Sequence, residues 1–245
     1  LRFQSSPFSD PQGANTFAAM QWRVGEIDPD TVYDPDSWVQ TLVPAGSTWR
    51  YRKGTSAPSQ PLSAWRQLAF NDAGWSQGQA PIGYGETFIA TTLSDMRNNY
   101  TSFFMRHKFQ VDDPSAFYRL RLDVRYDDGA NVWINGRLVF SQNMSGEDVA
   151  HDALATGLRD VNEGGWVTAL IDADVLQPGE NVIAMQVQNL YLRESSDAFG
   201  DGRLLGEEGS EDGLPRFRLR KDKPYEIQAV WQSEVLTEFT PAIQV

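Results

Sequence analysis

Apolar and polar residues alternate along much of this chain, most regularly between residues 117 and 140, FYRLRLDVRY-DDG-ANVWI-NG-RLVF. Tyr118, Leu120, Leu122, Val124 and Tyr126 fall on one face, and Arg119, Arg121, Asp123 and Arg125 on the other. A period of two is the mark of a half-buried strand. Asp128-Gly129 and Asn135-Gly136 punctuate the run, and such dipeptides supply the positive φ that tight hairpins need. The stretch therefore predicts an antiparallel meander.

The same period recurs elsewhere. Phe103, Met105, His107, Phe109 and Val111 alternate with Phe104, Arg106, Lys108 and Gln110. Strands are also predicted at Trp166 to Ile171, at Val182 to Asn189 after the Pro178-Gly179 turn, and around Phe217 and Leu219. Helical periodicity is weak, with a short turn at best near Ala64 to Phe70. Many short strands separated by turns predict an all-β antiparallel sandwich or jelly roll. Near the two ends, Met20, Trp22 and Val24, and Tyr225, Ile227, Ala229 and Trp231, again recur every second residue. An isolated strand needs a partner, so the ends are expected either to pair as one split unit or to serve as linkers. The boundaries follow: residues 1–40 and 221–245 form a small unit, and 41–220 the main domain. Residues Glu194 to Gly213, rich in Asp and Glu and without apolar pattern, read as a long loop.

Composition narrows the classes. The net charge of −12 disfavours nucleic acid, whose phosphates would be repelled. The chain has no cysteine, which excludes disulfides, zinc–thiolate sites and thiol nucleophiles. It has no apolar run of about 18 residues, so no membrane insertion is expected. It opens on Leu1 without a signal-peptide pattern, and excision from something longer is the expectation.

Ordered pieces carry a family resemblance: Trp49-Arg50-Tyr51, Trp65, Phe70-Asn71-Asp72, Trp75, Ala80-Pro81-Ile82-Gly83-Tyr84-Gly85, Tyr100 to Phe109, the DDGANVWING stretch, Asn143-Met144, and Leu176 to Ala184. Together the block from Trp49 to about Leu219 resembles a galactose-binding-like jelly-roll domain of large multidomain bacterial surface or secreted proteins. The flanks are similar to two halves of a fibronectin-type unit. The resemblance implies a noncatalytic carbohydrate-binding or attachment module, extracellular or at the cell surface, beside other domains of a larger parent protein.

The candidate chemistry agrees with binding rather than turnover. There is no Gly-x-Ser-x-Gly elbow and no His-Glu-x-x-His pair. The adjacent acids Asp112-Asp113, Asp127-Asp128 and Glu207-Glu208 would point to opposite faces of a strand, which is not a glycosidase pair. His107 reads as a core or edge histidine. Sugar recognition needs an aromatic face and fixed polar partners. The loop from Glu86 to Tyr100 combines these, so the candidate carbohydrate site is Tyr84, Glu86, Phe88, Arg97, Asn98 and Tyr100. Oxygen-rich loops suit Ca²⁺, and Asp197 and Asp201 are the candidate ligands of a structural ion. The expected partner is a polysaccharide or glycan. The competing expectation is a structural spacer or protein-interaction module without a small ligand, favoured if the loop aromatics are buried.

Overall fold

The computed structural model describes residues 39–159 and 165–208 in full, and the backbone of strands at 17–26, 225–233, 237–239 and 243–244. The chain divides into two compact units, one of 1–37 with 217–245 and one of 38–216. In the first, β1 (Phe17–Glu26) pairs antiparallel with β14 (Tyr225–Ser233), so strands from the two ends share one sheet. β15 (Thr237–Phe239) and β16 (Ile243–Gln244) also pair with β14. The strand predicted around Phe217 and Leu219 lies outside the described residues.

The second unit is an all-β sandwich of two six-stranded sheets. One sheet has the order β10 (Arg137–Gln142), β9 (Gly129–Ile134), β12 (Gly179–Gln188), β7 (Ser102–Val111), β3 (Thr48–Lys53), β4 (Ser76–Gln79). The other runs β11 (Val167–Asp172), β8 (Phe117–Asp127), β13 (Ala198–Glu208), β5 (Ile82–Tyr84), β6 (Thr91–Thr92), with β2 (Val39–Val43) also on β13. The alternating residues meet between the sheets. Phe103, Met105, Val132, Ile134, Ile183 and Met185 from the first pack with Ile82, Leu120, Leu122, Val124 and Leu204 from the second. Each fully buried aliphatic or aromatic side chain of this kind contributes about 1.5–3 kcal/mol.

Two local expectations change. Asn135-Gly136 is a true hairpin turn, both residues having positive φ (51° and 83°), and it joins the paired strands β9 and β10. Asp128-Gly129 is not a hairpin. β8 and β9 belong to different sheets, so the chain crosses the sandwich there. Gly129 suits the crossing because a Cβ would lie 2.6 Å from the Asn143 carbonyl oxygen.

The second correction concerns 194–213. Most of this supposed loop is β13, which pairs with β8 along its length as well as with β2 and β5. Its core-facing positions are mostly glycine, so no apolar period shows. A Cβ on Gly200 would meet Val187 at 2.8 Å, and one on Gly206 would meet the Phe117 ring at 2.4 Å. The glycines make room for large neighbours. Residues 209–213 lie outside the described residues.

Candidate functional site: a cleft at one rim of the sandwich

β3, β5, β8 and β12 end at the rim where β7, β9 and β13 begin. The connections there are held together by their own hydrogen bonds. The amide of Asn98 donates to the Leu192 carbonyl (3.1 Å) and that of Asn189 to the Thr101 carbonyl (2.8 Å). The Thr101 hydroxyl donates to the Ala153 carbonyl (2.9 Å), and the Ser102 hydroxyl to that of His151. Between these segments lies a cleft of about 250 Å³ lined by Gly54, Thr55, Asn99, Tyr100, Thr101, His151, Asp152 and Leu192. Leu192 is 38% exposed, and the next residue back, Tyr191, is 46% exposed. An apolar edge thus stands beside imidazole, carboxyl, amide and hydroxyl groups, which is the mixture that a hydroxyl-rich guest with apolar faces uses.

The structure divides the residues that the sequence groups together. Tyr84 and Tyr100 are core rings, 6% and 5% exposed. The Tyr84 hydroxyl accepts from the Asn189 side-chain amide at 3.0 Å, and the Tyr100 hydroxyl donates to Asp95 at 3.0 Å. Burial, and then the bond to Asp95, push the Tyr100 phenol well above its ordinary range, so it stays protonated. Arg97 and Asn98 are exposed beside Asn99, and Asn98 takes a left-handed conformation (φ 66°) that asparagine tolerates. Phe88 is elsewhere. Its ring packs edge-on to Phe199 (5.1 Å), and the Arg125 guanidinium covers it at 3.6 Å. Glu86, half-buried, precedes it in the same connection. Of the six, Tyr100 lines the cleft, and Arg97 and Asn98 precede its lining residue Asn99 in the chain.

Asp197 and Asp201, the candidate ion ligands, have different hydrogen-bond partners. Asp201 is buried and accepts from the amides of Gly46 and Gly202. Burial pushes its carboxyl up to about 6. Asp197 accepts from the Ser196 hydroxyl at 2.8 Å. Among the described residues, no group of three or more His, Cys, Asp or Glu is arranged to hold a metal ion.

Beneath the rim lies an acid cluster, two of whose members, Asp127 and Asp128, the sequence reading put on opposite faces of a strand. Asp127, Asp128 and Asp197 are 6%, 3% and 7% exposed. Asp128 accepts from the amides of Arg159 (3.1 Å) and Leu190 (2.8 Å), tying two rim connections to the end of β8. Burial first, then the charges of Asp128 and Asp197, push Asp127 up to about 9. It is therefore a neutral acid at pH 7 and stabilises the rim as a hydrogen-bonding group.

From the sequence, His151 before Asp152 reads as part of a polar turn with no nucleophile near it, and neither is grouped with the site. The sequence reading missed Tyr191 and Leu192; their trace is Leu190-Tyr191-Leu192, apolar residues past the end of a strand that the alternating pattern did not use.

No family model matches the chain, and no curated protein matches it. Among solved structures, the chain is similar to an uncultured Clostridium sp. beta-glucuronidase, at 14% identity and a TM-score of 0.46, over 88% of this chain and 40% of that one. It is also similar to the Ruminococcus gnavus beta-glucuronidase, at 11% identity and a TM-score of 0.44, over 84% of this chain and 38% of that one. The chain thus spans about two fifths of those chains' length. Likeness at this level carries no argument about activity. Among the described residues no helix is long and apolar enough to cross a membrane.

Proposed function

We propose that the sandwich is a noncatalytic carbohydrate-binding module of a larger extracellular bacterial protein, and that the rim cleft holds the sugar. The observation that carries this reading is the cleft itself, where Leu192 stands with polar groups from two other connections, Asn99 from one and His151 and Asp152 from the other. In this reading Leu192 meets a carbon-rich ring face, while Asn99, Asp152 and His151 bond hydroxyls. Among the described residues the cleft is lined by one carboxyl, Asp152, whereas glycoside hydrolysis takes two across the scissile bond. The ligand would leave as it came.

A glycan array followed by calorimetric titration tests the proposal. A glycan bound by the parent chain is expected to lose about tenfold or more in affinity on Leu192→Ala or His151→Ala, the loss typical of a central contact. Retained affinity in both variants would remove the cleft from consideration. The burial of Tyr84 and Tyr100 favours a second reading, a structural spacer in the same parent protein. That reading stands if the array shows no bound glycan.

A further inference from the structure

The sheet containing β11, β8 and β13 has an outward face on which charge is layered by depth. Asp123 lies at the bottom, its side chain fully buried. It accepts from Arg203 Nε (2.6 Å), from Arg121 Nε (3.2 Å) and from the Thr168 hydroxyl. Burial pushes its carboxyl up, but the three bonds together outweigh this and hold it below the usual carboxylate range. Glu207, with its side chain 18% exposed, is paired with Arg119 and accepts from the Tyr118 hydroxyl (2.8 Å). The guanidinium side chains above are 40%, 39% and 34% exposed for Arg119, Arg121 and Arg203. Asp123 and Glu207 thus lie beneath the more exposed guanidinium groups of Arg119, Arg121 and Arg203.

Apolar groups border this layer. Arg203 stacks over Trp166 (5.3 Å to the ring), and Trp166 is 37% exposed. Leu170 is 60% exposed and sits opposite Arg121 in the β11–β8 register. Asp172, opposite Arg119, is the exposed acid at the margin. On a chain of net charge −12 the face offers partly exposed guanidinium groups beside an aromatic ring.

We propose that this face docks a linear acidic polysaccharide. Guanidinium groups match carboxylates in a planar fork, Trp166 offers an aromatic surface to the apolar face of a pyranose, and the side chains of Arg119, Arg121 and Arg203 are 34–40% exposed along adjacent strands, which suits an extended chain. Charge complementarity selects the acidic glycan over a neutral one. The overall negative charge selects against nucleic acid, whose charge is denser and would meet the rest of the surface. The inference is independent of the rim cleft and shares no residue with it.

Affinity electrophoresis of the full chain at low salt tests it, with polygalacturonate, fully methyl-esterified polygalacturonate and duplex DNA as probes. Polygalacturonate is expected to retard the protein, and salt is expected to weaken the effect. The ester and the DNA are expected to leave mobility unchanged. Leu170→Glu places a carboxylate opposite Arg121 without touching the buried pairs. It is expected to weaken polygalacturonate binding about tenfold while the unfolding curve stays in place. Leu192→Ala, at the rim, is expected to bind polygalacturonate like the parent. The proposal is overturned if the ester or the DNA retards the chain as strongly, if Leu170→Glu binds unchanged, or if Leu192→Ala abolishes binding.

Discussion

The two sheets of the sandwich treat their outward faces in opposite ways. On the β10–β4 sheet, outward positions carry Phe104, Arg106 and Trp133, and the segment between β3 and β4 seals them. Trp65 packs edge-on to Phe104 (5.1 Å) and to Trp133 (5.3 Å), and Trp75 stacks on Trp65 (6.1 Å). Arg106 is enclosed with Asp72, while Arg66 pairs with Glu147 and Asp148 and lies over the Trp133 ring at 4.8 Å. On the β11–β6 sheet, the outward positions of β8 from Arg119 to Asp123 are charged and find their partners within their own sheet. The difference teaches what calls for a cover. Outward aromatic rings must be shielded from water, and that cover then traps the arginine between them. A carboxylate capped by arginines is already satisfied, so its face stays open.

The sharpest way to break this contrast is to remove one partner of the enclosed pair. The Arg106 side chain is fully buried, its Nε already lacks a partner, and burial lowers its proton affinity against the pull of Asp72. Asp72→Ala leaves that charge without its counter-ion and is expected to cost about 3–5 kcal/mol in urea unfolding. Adding Arg106→Leu removes the stranded charge and is expected to return most of that loss. A single-variant cost below about 1 kcal/mol would mean that the cover admits water.

The open face was readable from sequence and the sealed one was not. Arg119, Arg121 and Asp123 alternate with Leu120, Leu122 and Val124, so the all-β sandwich and the exposed register of β8 follow directly from the pattern. On β7, Phe104 breaks the polar register, and nothing local says that Trp65, 39 residues earlier, will cover it. β13 was hidden for a different reason. Where a strand packs against Trp49, Phe117 and Val187, its inward residues shrink to Gly200, Gly202 and Gly206, and the apolar signal passes to the neighbours. The candidate site suffered in the same way. Aromatic residues on the Glu86 to Tyr100 connection looked like platforms, but Tyr100 is packed beneath the rim, and the ring exposed there is Tyr191 from another connection.

A second prediction sharpens the contrast within one strand. The outward positions of β8 run from the open Arg119 to the enclosed Asp127, so a single register passes from solvent to interior. Asp127 is pushed up to about 9 from an ordinary value of 3.8, by burial and then by Asp128 and Asp197. Between those values the native state holds a proton that the unfolded chain has lost. Its stabilising effect is complete below about pH 4, declines as pH rises, and is gone above about pH 9. Asp127→Asn keeps a neutral group and removes that slope. At pH 8 it is expected to be more stable than the parent by on the order of 1–3 kcal/mol, with the gain vanishing near pH 4. Melting temperatures across pH 4 to 9 check this. A residual slope confined to the region between about 4 and 6 belongs to Asp201, also pushed up by burial.

The smallest expected effect tests where the cover ends. Lys108 lies two residues beyond Arg106 on the same outward face of β7 and bonds Glu180 at 2.8 Å, but both side chains are more than 40% exposed. The geometry resembles that of a buried pair; the surroundings do not. In water the attraction is offset by the cost of ordering two long side chains, so Lys108→Ala is expected to cost no more than about 0.5 kcal/mol. Salt near 1 M, where screening acts within about 3 Å, is expected to erase even that. Asp72→Ala should keep most of its cost at the same ionic strength, because the enclosed charge is out of reach of the ions. Equal salt sensitivity in the two variants would show that both pairs stand in water and that the tryptophan cover seals nothing.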